Sequence, residues 1–210
     1  RLHSVPGPRS HGWLAGYVRG IDMTTLIALE DAASRLRQCD RVLVIGCSGS
    51  GKSRLSQRLA STLDLLYISM DRDVFWLPGW KLRPRPEIVE RLQGHVARPR
   101  WIMDGTSPGT LPLRLPRSQL VIWMRPARLV SLFGVLSRWL RYYGRSRPEM
   151  AEGCPEKIDR QFLAYIWNFE RTESPEIEEN LAAYGPGVPV LLLKSRAETN
   201  RLLAIIGQDH

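Results

Sequence analysis

Three glycines, a lysine and a set of small hydroxyl or thiol side chains stand together in GCSGSGKS, residues 46–53, directly after the apolar run RVLVI. The spacing is G-x-x-x-x-G-K-[ST], with Gly46, Gly51, Lys52 and Ser53 at the fixed positions. Glycines let successive backbone N–H groups turn inward, and the positive end of a following helix adds to them, so such a loop cradles phosphate. Lys52 then reaches the outer phosphates and the Ser53 hydroxyl ligates Mg²⁺. Cys47, Ser48 and Ser50 contribute small size and N–H groups more than side-chain chemistry. The expected phosphate-binding set is Gly46, Ser48, Gly49, Ser50, Gly51, Lys52, Ser53 and Arg54.

A phosphate-bound Mg²⁺ needs a carboxylate beside it. Asp104, in WIMDG, ends a short apolar run at the sheet edge where ligands gather, and joins Ser53 as the candidate metal pair. Asp71 and Asp73 follow the second apolar run, in MDRDVFW. Asp71, nearer the strand end, is the candidate that meets an acceptor. Trp76, with Phe75 and Trp80, either walls an acceptor pocket or lies under a loop. Arg114 and Arg117, in LPLRLPR, are candidates for gripping an anionic acceptor. Arg138, Arg141 and Arg145 run into GRSRP, which adds Arg147, with no acid before Glu149. Mobile cations of this kind close over a triphosphate and exclude water. Arg171 is a candidate second clamp, and Trp167 a surface for a base or a guanidinium. The candidate catalytic set is Lys52, Asp71, Arg138, Arg141, Arg145 and Arg171.

These residues need a scaffold that brings them to one edge. Five apolar runs read as strands: Arg41–Ile45, Leu65–Met70, Trp101–Met103, Leu120–Met124 and Val188–Leu193. They are runs and not alternations, as for strands covered on both faces. Leu55, Leu59 and Leu63 give a helix after the first. Leu129, Leu132, Phe133, Leu136 and Leu140 give the apolar face of a helix after the fourth, with Arg138, Arg141 and Arg145 opposite. Ile158, Phe162, Tyr165, Ile166 and Phe169 give a returning helix, with Arg160, Trp167 and Arg171 on its other side. Strand-then-helix order implies a parallel α/β sheet with right-handed crossovers.

The 210 residues suit one domain with an insertion. No apolar run is long enough to span a bilayer. Residues 1–22 read as a flexible leader, with Met23 a candidate start, and residues 23–207 as the domain, its lid insertion at about 138–172. Three cysteines in no metal-ligand spacing argue against a disulfide framework and for a reducing, cytoplasmic setting. The net charge of +9 serves nucleic acid or a smaller polyanion such as ATP.

The strings GCSGSGKS, MDRDVFWLPGW, WIMDGTSPGTLPLRLPR, VIWMRP, GRSRPEMAEGCPE and FLAYIWNF, in this order, resemble P-loop kinases of the adenylate kinase and shikimate kinase type. More closely, they are similar to the small adenylate-kinase-like family often labelled DNA topology modulation proteins. The resemblance runs from about Arg41 to Leu203. It implies a three-layer P-loop NTPase fold: a five-stranded parallel sheet of nucleoside-monophosphate-kinase type with a helical lid. It also implies ATP and Mg²⁺ as cofactors, held by Lys52, Ser53 and Asp104. The chain departs from the family pattern at Arg54, at Thr106 in DGTSPGT, and at Arg125, where an acid is usual. Acids in ERTESPEIEE, from Glu170, stand where bases are frequent. The acceptor-pocket motif of adenylate kinases is replaced by DRDVFWLPGW, which argues against AMP as the acceptor.

Three functions follow. The leading one is an ATP- and Mg²⁺-dependent phosphotransferase acting on a small-molecule acceptor. The second is a nucleic-acid-associated ATPase, less favoured because helix-turn-helix, zinc and aromatic-basic RNA signals are missing. The third is a nucleotide-binding regulator whose catalysis has decayed.

Overall fold

The computed structural model describes residues 25–144 and 146–208. The expected leader, Met23 and Arg145 lie outside the described residues. The five apolar runs form one sheet. Its strands are β1 (Arg41–Gly46), β2 (Leu66–Ser69), β5 (Trp101–Asp104), β6 (Leu120–Met124) and β7 (Val190–Leu193). The spatial order is β2-β5-β1-β6-β7, or 2-3-1-4-5 counting this sheet alone, and every pair is parallel. Every residue of β5 and β6 is buried, which is why these strands read as unbroken apolar runs. A separate antiparallel hairpin, β3 (Trp76–Leu77) and β4 (Lys81–Leu82), follows a π-helical turn at Met70–Phe75.

Helices cover both faces and make the three layers. On one face α1 (Leu29–Leu36), α2 (Lys52–Leu63) and α7 (Arg196–Gly207) pack through Leu36, Leu55, Leu59 and Leu202. On the other, α3 (Arg85–Val96), α4 (Leu111–Arg114), α5 (Arg128–Arg141) and α6 (Arg160–Tyr184) pack through Leu92, Leu111, Val135, Ile166 and Phe169. The result is a three-layer α/β fold around a five-stranded parallel sheet, as the strand-then-helix order implies. Among the described residues no helix is long and apolar enough to cross a membrane, and Cys39, Cys47 and Cys154 are free thiols.

The orientation of α5 overturns the sequence expectation. Its leucine face points outward: Phe133 is 61% and Leu140 65% exposed, and Leu129 and Leu136 are exposed as well. With Ile158, Leu163 and Trp167, part of this face lines an apolar groove of about 560 Å³ between α5 and α6. The inward face carries Ser131, Gly134, Val135 and Arg138. The cause is a backbone contact. A Cβ on Gly134 would stand 2.2 Å from the Gly49 carbonyl oxygen, and a Cβ on Gly49 would stand 2.1 Å from that of Ser131. Chains that close admit only small side chains, so shape and not hydropathy decides which face turns in.

The segment between α5 and α6 folds down onto the β3–β4 hairpin. Gly79 N donates to Gly153 O (3.2 Å), Trp80 N to Cys154 Sγ (3.1 Å) and Trp80 Nε1 to Pro155 O (3.0 Å). Trp76 and Trp80 pack edge-to-face beneath Met150, Ala151 and Cys154. The second arm is longer than expected: α6 runs past residue 172 to Tyr184.

Candidate functional site

Strand β1 delivers the chain into the glycine loop, and Gly51 at φ +98° opens α2. No side chain caps that helix and no acid sits in its first turn, so its leading N–H groups face outward with their partial positive charge intact. Lys52 folds over its own loop and donates from Nζ to Cys47 O at 2.8 Å. Ser50 Oγ is buried without a hydrogen-bond partner among the described residues, and Ser48 is half-buried in the turn. Cys47 is a spacer: burial pushes its thiol up to about 11, so it stays protonated. Arg54 is exposed on the first turn of α2. Thr106 ties the loop to its neighbour, accepting from Gly46 N (3.0 Å) and donating to Gly46 O (2.5 Å). Thr106 is therefore built into the site's frame.

Asp104 ends β5 beside the loop and is buried. It accepts from the Tyr67 hydroxyl at 3.1 Å, and the Ser53 hydroxyl lies close enough to favour its charged form. Burial raises its pKa, while Ser53 and Lys52 pull the other way. Burial in turn lowers the pKa of Lys52, with Asp104 and Asp71 opposing and Arg138 adding repulsion. Lys52, Asp104, Asp71 and Arg138 thus lie within one another's electrostatic field. Tyr67, whose pKa burial and Asp104 push up, was not singled out in the sequence, because one tyrosine in a strand carries no pattern.

The segment holding Asp71 and Asp73 is the π-helical turn and not an extended strand end. In this turn the two carboxylates divide. Asp73 accepts from Ser69 N (2.9 Å) and from Arg72 Nε (2.7 Å), so its oxygens are engaged. Asp71 is exposed and acts on Lys52 and Arg138 through space.

Three expected acceptor residues sit elsewhere. Arg114 is fully buried, and its guanidinium donates to Gly105 O (2.6 Å), Thr106 O and Ser107 O (3.1 Å). It clamps the loop after Asp104 from beneath, which an arginine can do because its fork reaches three carbonyls at once. Arg117 is exposed, and its carbonyl accepts from Arg41 Nε at 2.7 Å, at the start of β1 and the far end of the sheet from the glycine loop. Trp76 packs under the lid loop, the second of its two sequence readings.

The expected lid arginines separate as well. Arg138 comes to the site on the inward face of α5 and pairs with Glu156 at 3.1 Å. Arg147 pairs with the same carboxylate oxygen. Arg141 and Arg171 are exposed with no ion-pair partner among the described residues. Trp167 receives a guanidinium, that of Arg128, at 4.6 Å.

No family model matches this sequence, and no curated protein matches it. Among solved structures, shikimate kinase from Acinetobacter baumannii, in complex with shikimate, is similar over 83% of this chain and 96% of its own, with 13% sequence identity and a TM-score of 0.41.

The residues present fit a magnesium-bound nucleotide. The uncapped start of α2 has N–H groups to offer phosphate, and the Ser53–Asp104 pair offers a hard-oxygen edge for Mg²⁺. Among the described residues no cluster of three or more His, Cys, Asp or Glu could hold a metal ion alone. Mg²⁺ keeps waters and takes phosphate oxygens, so two protein oxygens suffice.

Proposed function

We propose that this chain transfers the terminal phosphoryl group of ATP to a small-molecule acceptor. The observation that carries the reading is the convergence of Lys52, Ser53 and Asp104 at an uncapped helix start, with the exposed Asp71 and the inward Arg138 acting on the same lysine. The N–H groups of residues 46–53 and Lys52 hold the polyphosphate. Asp71 orients an acceptor hydroxyl and takes its proton as the oxygen attacks the terminal phosphorus. The bond from that phosphorus to the bridging oxygen breaks, and ADP leaves. Arg138 neutralises charge on the group in flight. Ser53 and Asp104 are the residues that would hold Mg²⁺, which would supply further neutralisation of the phosphate charge. The exposed ring of Phe133, next to Gly134 and 5.9 Å from the Arg196 guanidinium, offers a flat face for the base.

The test is ADP release across nucleoside monophosphates, nucleosides and small hydroxylated acids, with Lys52→Ala as control. At least one acceptor should stimulate release in the wild type and none in the variant. If no acceptor stimulates release and the variant equals the wild type, the proposal fails.

A further inference from the structure

Glu156 is a buried carboxylate in the lid loop, and one of its oxygens, Oε1, meets two guanidiniums. Arg138 comes from the inner face of α5 and Arg147 from the loop itself, and both present Nε. Their side chains are 22% and 10% exposed, so neither pair is an open surface contact. The contacts are ion pairs and not hydrogen bonds: among the described residues Arg138 Nε, Arg147 Nε and Glu156 Oε1 have no hydrogen-bond partner, and the Nη atoms of both arginines have none either. Like charges this close repel strongly away from water, and a shared carboxylate is what lets them stand together.

The backbone beneath is fixed too. Ser146 and Pro155 form an antiparallel bridge, which ties together the two stretches that carry Arg147 and Glu156. Trp80 holds the same stretch through Cys154 Sγ and Pro155 O. Arg138 in turn acts on Lys52 and Asp71, between which a terminal phosphate would lie.

We infer that Glu156 is a positioning residue: its single carboxylate holds the Arg138 and Arg147 guanidiniums together, so that both can meet the terminal phosphate over Lys52. The inference rests on the phosphotransferase reading and adds the residue that orders its cations. Phosphate recognition by arginine depends on the orientation of the planar fork, so losing the carboxylate costs terminal-phosphate binding more than nucleotide binding as a whole.

The experiment measures dissociation constants for MgATP and MgADP by calorimetry, with melting temperature as the folding check. Glu156→Gln is expected to weaken MgATP about tenfold, the worth of one charge-assisted contact, and MgADP less than about twofold. In an Arg138→Gln background the same change should lose most of its effect, since residues acting as a unit are not additive. Arg147→Lys keeps the charge and removes the Nε edge; it should lower the ATP-to-ADP preference at least about threefold, and it stands as the probe if Glu156→Gln does not fold. Equal weakening of both nucleotides, or an undiminished effect in the Arg138→Gln background, overturns the inference and leaves the phosphotransferase reading standing. A wild type that binds neither nucleotide overturns both.

Discussion

The Arg125 guanidinium, just beyond β6, lies 3.4 Å from the buried carboxylate of Glu178 on α6. It also pairs with Glu170 and covers the Trp123 ring at 4.5 Å. One base beyond the strand thus meets two acids on the helix, and the three charges bridge the two elements.

Arg125→Glu should therefore cost about 3 kcal/mol, the order of a broken buried pair, because it sets three carboxylates together. For a chain of this size that is a fall of about 6–12 °C in melting temperature. Adding Glu178→Arg should recover at least half of the loss. Thermal melts of the single and double variants check this, and simple additivity would show that the pair does not act as one bridge.

The contact between Gly49 and Gly134 makes a second expectation. Gly134→Ala forces α5 away from the glycine loop, and such overpacking costs about 1–3 kcal/mol. It should weaken MgATP in parallel by moving the loop and Arg138. Gly94→Ala, in α3 with open space around it, is the control and should raise stability by about 0.5–1 kcal/mol. Melts and nucleotide titrations of both variants decide the matter.

This contact also marks where the sequence stopped being legible. The strands β1, β5 and β6 could be read because burial on both faces leaves an unbroken apolar run. The glycine loop could be read because Gly46, Gly51, Lys52 and Ser53 stand at the fixed spacing of a motif. The facing of α5 could not, since Gly134 and Ser131 face inward for their smallness while leucines stay outside. Arg114 misled for a related reason: arginine reads as a surface residue, and three loop carbonyls that need donors leave no trace in composition. Glu156 escaped because its two partners come from different parts of the lid.

Asp104 gives a pH dependence. Its folded pKa is raised by burial, so the folded state holds this proton more tightly than the unfolded chain. That contribution to metal-free stability is complete below the ordinary carboxylate pKa and is lost as pH rises through the raised value. Asp104→Asn should raise the metal-free melting temperature at neutral pH and flatten this slope. In the wild type, Mg²⁺-dependent ATP affinity should fall as pH drops through the same raised value, since the protonated acid no longer faces the ion as an anion. Melts from pH 4 to 8, with and without MgATP, read both effects.

The most direct measurement is the melting temperature of the wild type and of Lys52→Ala across a MgATP titration. A ligand at one hundred times its dissociation constant stabilises the folded state by about 2.7 kcal/mol, which here is a rise of about 5–10 °C. The wild type should show that rise and saturate, and Lys52→Ala should show less than about a third of it at the same concentration. If both proteins melt at the same temperature with and without MgATP, residues 46–53 do not grip a polyphosphate.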